Sequence, residues 1–82
     1  MIAKIHVIQK NGVLDPQGKA VHHALNDLGY GEVENVQVGK YMEIQLRGLS
    51  EEEAQVRVEE MCEKLLANTV IESYRFTLVA AE

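Results

Sequence analysis

The chain lacks four things: a second cysteine, a surplus of basic residues, a long apolar run and any low-complexity stretch. With Cys62 alone, no intramolecular disulfide framework can form, which agrees with a reducing compartment. Eight Lys and Arg against thirteen Asp and Glu give a formal net charge of -5. That balance opposes nonspecific binding to phosphate backbones and argues against nucleic acid as a partner. No apolar run approaches the roughly 20 residues of a membrane span. Met1 to His6 opens directly into a strand pattern rather than a signal peptide, so a cytoplasmic location and no membrane partner are expected.

What is present is ordinary for a folding chain: 46% hydrophobic and 26% charged residues. Eighty-two residues predict one domain over 1–82, because a chain this short buries only about 60% of its unfolded surface and cannot divide into two cores. The same small core favours oligomerisation.

The stretch Asn11 to Val21 organises the rest, carrying a first strand through a glycine-bearing turn into a first helix. Asp15 suits the N-cap, where its carboxylate can accept backbone N–H bonds and meets the positive helix end. Pro16, the only proline, suits the first helical position, where its locked φ helps and its missing N–H is not needed.

Residues 2 to 9 alternate as a strand, with Ala3, Ile5 and Val7 on one face and Ile2, Lys4, His6 and Ile8 on the other. Residues 16 to 28 switch to a helical period, with Ala20, Val21, Ala24, Leu25 and Leu28 in one stripe and Gly29 as its stop. Two strands are predicted next, one through Val36 and Val38 and one through Met42, Ile44 and Leu46, with Gly39-Lys40 as a tight turn between them. Ser50 and Glu53 have capping-box spacing and open a helix over 51–67, with Ala54, Val58, Met61, Cys62 and Leu65 inward. Val70 to Val79, β-branched and aromatic, predicts a final strand.

The order β-α-β-β-α-β is a ferredoxin-like α+β string, a two-layer sandwich with two helices on one face of an antiparallel sheet. The other sheet face is then uncovered. Ile2, Ile8, Ile71 and Val79 are candidates there for a partner surface, and dimerisation is expected.

No catalytic constellation emerges. His22 and His23 point about 100° apart on one helix and cannot easily share an ion; both are read as solvated surface residues. His6 has no placed acid-base partner. Cys62 lies on the apolar stripe, in the helix half where the dipole disfavours a thiolate, and is read as packing. The glutamates of the second helix form a solvated face. Gly12 and Gly18 flank a strand-to-helix turn but fit neither GxGxxG nor GxxxxGK[ST], and Asp15 would repel an incoming phosphate. Lys40 and Arg47 are candidates for polar interface contacts. A small acidic domain of this kind is expected to act by binding.

The run Gly12 to Val21, with Ala24-Leu25 and Leu28-Gly29-Tyr30, closely resembles the small PurS subunit of formylglycinamide ribonucleotide amidotransferase. So do Val36 to Lys40, Met61 to Asn68, and Val70 to Tyr74. The resemblance spans nearly the whole chain. It implies a non-catalytic assembly subunit in de novo purine biosynthesis, within a complex that converts formylglycinamide ribonucleotide, glutamine and ATP to formylglycinamidine ribonucleotide, glutamate, ADP and phosphate. It implies as partners a glutaminase subunit, a large synthetase subunit and the chain itself, as a dimer or a tetramer. It also implies ATP and magnesium on the large subunit and no cofactor on this one. The family fold is the same string, often with the C-terminal strand exchanged between protomers.

On this resemblance, Asp15, Pro16, Gly18, Gly39, Lys40 and Arg47 are the candidate structural or partner-contact residues. Gln37 stands where the family commonly has arginine, and Thr69 where it commonly has proline. The first weakens a salt-bridged contact at the second strand, and the second leaves the hinge after helix two less stiff. The alternative reading is a regulatory ferredoxin-like dimer holding a small ligand between protomers, an analogy from fold alone.

Overall fold

β1 (Ile2–Gln9) is the central strand of an antiparallel sheet, flanked by β2 (Lys40–Gln45) and β3 (Glu72–Val79) in the order β2-β1-β3. A computed structural model describes residues 1–80 of the chain. Two helices complete the architecture, α1 (Pro16–Asp27) after β1 and α2 (Glu51–Met61) after β2. The ferredoxin-like α+β class holds.

Ile5 lies opposite Met42 on one side and Phe76 on the other. Strand side chains alternate, so Ala3, Ile5 and Val7 enter the core together with Met42, Ile44, Tyr74, Phe76 and Leu78. α2 lays Ala54 and Val58 on this face and Cys62 follows directly after its end, and all three are fully buried. Ser50 starts α2 as predicted: its hydroxyl accepts from Glu53 N at 3.2 Å while Glu53 Oε1 accepts from Ser50 N at 3.3 Å. Both otherwise orphaned N–H groups are thereby satisfied.

The remaining expectations are revised in five places. First, the helix expected over 51–67 is α-helical only to Met61 and continues as a π-helical turn over Cys62–Leu66. Past Cys62 the wider turn brings half-buried Leu66 and buried Ala67 toward the core, whereas Leu65, expected in the core stripe, is 82% exposed. Second, β3 begins at Glu72. Residues 69–71 form a turn, in which Ile71 N and Glu72 N donate to Asn68 O at 3.0 and 2.7 Å.

Third, residues 33–39 carry no strand assignment, although Val36 and Val38 alternate like one. The Val38 N–H donates to Asp15, a side chain, and not to a neighbouring strand. Fourth, Gly39-Lys40 is therefore not a hairpin turn, since Lys40 already pairs with Val7.

Fifth, α1 does not share the sheet face with α2. Gly18 is its only buried residue, while Val21, Ala24 and Leu28 of its apolar stripe stay exposed. α1 and the chain returning through 30–38 make an arm, and the radius of gyration is 16.2 Å. A compact chain of this length would have about 12 Å.

Candidate functional site: the elbow and the open sheet face

The elbow is where β1, α1 and β2 meet, and three local signals build it. Asp15 caps α1, with Oδ1 accepting from Gly18 N at 3.0 Å. Pro16 occupies the first turn as predicted. At the far end α1 stops where Gly29 takes φ 104°. There Gly29 N donates to Asn26 O and Tyr30 N to Leu25 O, each at 3.0 Å, the paired bonds of a Schellman stop.

Three long-range contacts then fix the angle of the arm. The second Asp15 oxygen, Oδ2, accepts from Val38 N at 3.0 Å. One carboxylate thus joins the start of α1 to the segment entering β2. These two backbone N–H groups, Gly18 first and Val38 second, hold the Asp15 carboxyl below its ordinary value of 3.8, because both bonds favour the ionised form. Gly18 has no room for a side chain, since a Cβ there would sit 2.3 Å from Val36 O. Gly39 is equally confined, with a Cβ position 2.3 Å from Val7 O of β1. Glycine at both positions lets backbone meet backbone.

His22 was expected on the solvated side of α1. It is instead half-buried, with Nε2 2.9 Å from Val33 O. A carbonyl can only accept, so Nε2 carries the proton and ties the middle of α1 to the returning chain. His23 is exposed as expected.

The structure gathers Asp15, Pro16, Gly18 and Gly39 at the elbow. Lys40 lies beside them, with Nζ 3.6 Å from Glu72 Oε2. Glu72 Oε1 also accepts from Asn68 N at 2.7 Å, so this carboxylate links the start of β2 to the turn before β3. Arg47 is not part of the group: it is exposed beyond the opposite end of β2. Thr69 lies in the turn before β3, and its carbonyl accepts from Lys10 Nζ at 2.7 Å. Gln37 is exposed in the segment between Val36 and Val38.

The sheet face away from α2 is uncovered within the chain, and Ile8, Ile71 and Val79 are exposed as expected, with Ile2 half-buried. Its centre is polar. His6 lies across from Tyr41 and Arg75, and the His6 and Tyr41 rings are 4.8 Å apart. Tyr41 donates to Glu43 Oε2 at 2.6 Å, which raises the phenol's pKa. A shallow groove of about 350 Å³ runs past His6, Ile8, Tyr41, Ser73 and Arg75.

No group of three or more His, Cys, Asp or Glu side chains that could hold a metal occurs among the described residues. No helix among them is long and apolar enough to cross a membrane. Cys62 is buried, and its thiol pKa is raised by desolvation first and by Glu63 and Glu59 second, which disfavours the thiolate. The arrangement offers a rigid elbow, a projecting arm and an open sheet face, all suited to contact with other chains.

Residues 2–80 match the family model PurS, described as phosphoribosylformylglycinamidine (FGAM) synthase. The Bacillus subtilis phosphoribosylformylglycinamidine synthase subunit PurS is 56% identical over 73 residues, covering 89% of this chain and 86% of that protein. The Methanocaldococcus jannaschii PurS structure superposes with a TM-score of 0.85 at 41% identity, covering 99% of this chain and 98% of that one. A chain in the structure of PurLQS from Thermotoga maritima superposes with a TM-score of 0.82 at 26% identity, covering 96% and 99%. The match in sequence and in fold runs essentially end to end on both sides, and this chain belongs to the PurS family of phosphoribosylformylglycinamidine synthase subunits.

Proposed function

We propose that this chain is the small, non-catalytic assembly subunit of a phosphoribosylformylglycinamidine synthase. This enzyme of de novo purine biosynthesis is a glutamine-dependent ligase. The observation that carries the reading is the PurS match over residues 2–80, joined to a rigid elbow and an open sheet face suited to contact with other chains. The similarity to a chain of the PurLQS structure supports its place in such an assembly.

In this reading a glutaminase subunit releases ammonia and a large synthetase subunit, which holds ATP and magnesium, activates the substrate amide. The present chain holds the two in register and associates with itself. The rigid elbow suits that task, since a scaffold transmits geometry only if its own angles are fixed. β3 pairs along its whole length with β1 of its own chain.

The test is size-exclusion chromatography of this protein mixed with the large and glutaminase subunits, with ATP, magnesium and glutamine present. Co-elution of all three supports the reading. A large subunit and glutaminase that associate equally well while this chain elutes alone would overturn it.

A further inference from the structure

The open sheet face differs in charge from the rest of the chain. Strand alternation turns every second residue away from α2, and the register lays these residues in rows across the sheet. Tyr41, His6 and Arg75 form one row, and Glu43, Lys4 and Thr77 form the next. The two rows carry two cations against one carboxylate, on a chain whose formal net charge is -5. The ion pairs among the described residues are Lys40–Glu72 and Lys64–Glu60, so neither Lys4 nor Arg75 is paired there. Glu43 instead accepts from the Tyr41 hydroxyl at 2.6 Å, and it lies on β2, across β1 from Arg75.

Two parts of this face have the form of a ligand site. The first is a plate. Tyr41 is 50% exposed, yet its ring is held at its tip by the Glu43 bond and at its side by the His6 ring, 4.8 Å away and tilted by 48°. A ring fixed before binding offers a flat apolar surface at little entropic cost. The second is an anion corner. Arg75 lies one strand spacing, about 4.8 Å, beyond His6, with Lys4 as its diagonal neighbour on β1. A guanidinium holds a phosphate by two parallel N–H bonds. The groove joining plate and corner has a volume of about 350 Å³, enough for one small molecule.

We propose that this groove is a mononucleotide-binding site, in which the base lies on the Tyr41 and His6 rings and the phosphate meets Arg75 and Lys4. The chemical class is a planar heterocycle joined through a sugar to a phosphate. Aromatic rings on an open sheet stack bases, because every base has a π-face, and cations beside them take the phosphate. One plate and one anion corner fit a single nucleotide, whereas the acidic surplus of the chain opposes a long polyanion. All the groups belong to one chain, so the site stands or falls independently of the assembly role.

Isothermal titration calorimetry of the full chain with adenosine monophosphate, adenosine and inorganic phosphate provides the test. The expected result is a one-to-one complex with adenosine monophosphate, with a Kd below about 1 mM. Adenosine and phosphate, each meeting only half of the site, should bind at least about tenfold more weakly. Y41A and R75Q should each weaken the nucleotide complex about tenfold or more, the first by loss of stacking and the second by loss of charged hydrogen bonds. Both side chains are exposed, so circular dichroism should show the fold retained. K64A, on the helical side of the sheet, should bind as the wild type does.

A wild-type chain that binds no nucleotide at millimolar concentration would overturn the proposal. Phosphate bound as tightly as the nucleotide would overturn it too, since the rings would then contribute nothing. So would a nucleotide complex indifferent to both Y41A and R75Q, which would lie elsewhere on the chain.

Discussion

Asp15 Oδ2 accepts the backbone N–H of Val38 at 3.0 Å, joining the start of a helix to a residue twenty-three positions away. The same carboxylate caps its own helix through Gly18 N. Replacing it therefore removes a cap and a tertiary tie together. D15A should lower the melting temperature by on the order of 5 °C, and D15N, which still accepts one bond, by less. Differential scanning calorimetry compares them.

That clamp has a pH signature. The folded-state pKa of Asp15 is depressed by its two backbone donors, so its contribution is complete above the ordinary value of 3.8 and is lost as pH falls through the lower folded value. Acid titration of wild type and D15N, followed by circular dichroism, should show a low-pH loss of stability in the first that is reduced in the second. Parallel curves would contradict the assignment.

Gly18 is helical, and alanine in a helix interior ordinarily stabilises by about 1 kcal/mol relative to glycine. Here the sign should reverse. A Cβ would meet Val36 O at 2.3 Å, and the obstacle is backbone rather than a flexible side chain. G18A and G39A should each destabilise by about 1–3 kcal/mol, read as a lower urea midpoint with an unchanged slope.

Lys40 and Glu72 form one ion pair with unequal partners. Lys40 is 59% exposed and holds only the pair, so K40A should change stability by less than about 0.5 kcal/mol. Glu72 also accepts from Asn68 N at 2.7 Å, so E72A should cost about 1 kcal/mol through the turn that leads into β3. Equal effects in the two variants would show that the ion pair, not the backbone bond, carries the role of Glu72.

The parts legible in the sequence were those written in neighbouring residues. Asp15-Pro16, Ser50 with Glu53, and Gly29 each declare a helix end because cap and helix lie within a few positions, and all three stand in the structure. The illegible parts depend on distant residues. Val36 and Val38 alternate like a strand, but a carboxylate twenty-three positions away takes the N–H that a strand would have used. Gly39 looked like a turn residue, and nothing in its surroundings announces that Val7 O lies where its side chain would be. His22 looked solvated because the chain that covers it returns eleven residues later. The helical period of α1 was read correctly as an apolar face, yet periodicity says only that a face seeks cover and not which sheet covers it.

Glutamine-dependent formylglycinamidine ribonucleotide synthesis by purified large and glutaminase subunits is the direct test of a chain that contributes assembly and no chemistry. With wild-type protein added, activity should appear. Full activity without this protein would contradict the account, as would a variant that assembles normally and turns over nothing.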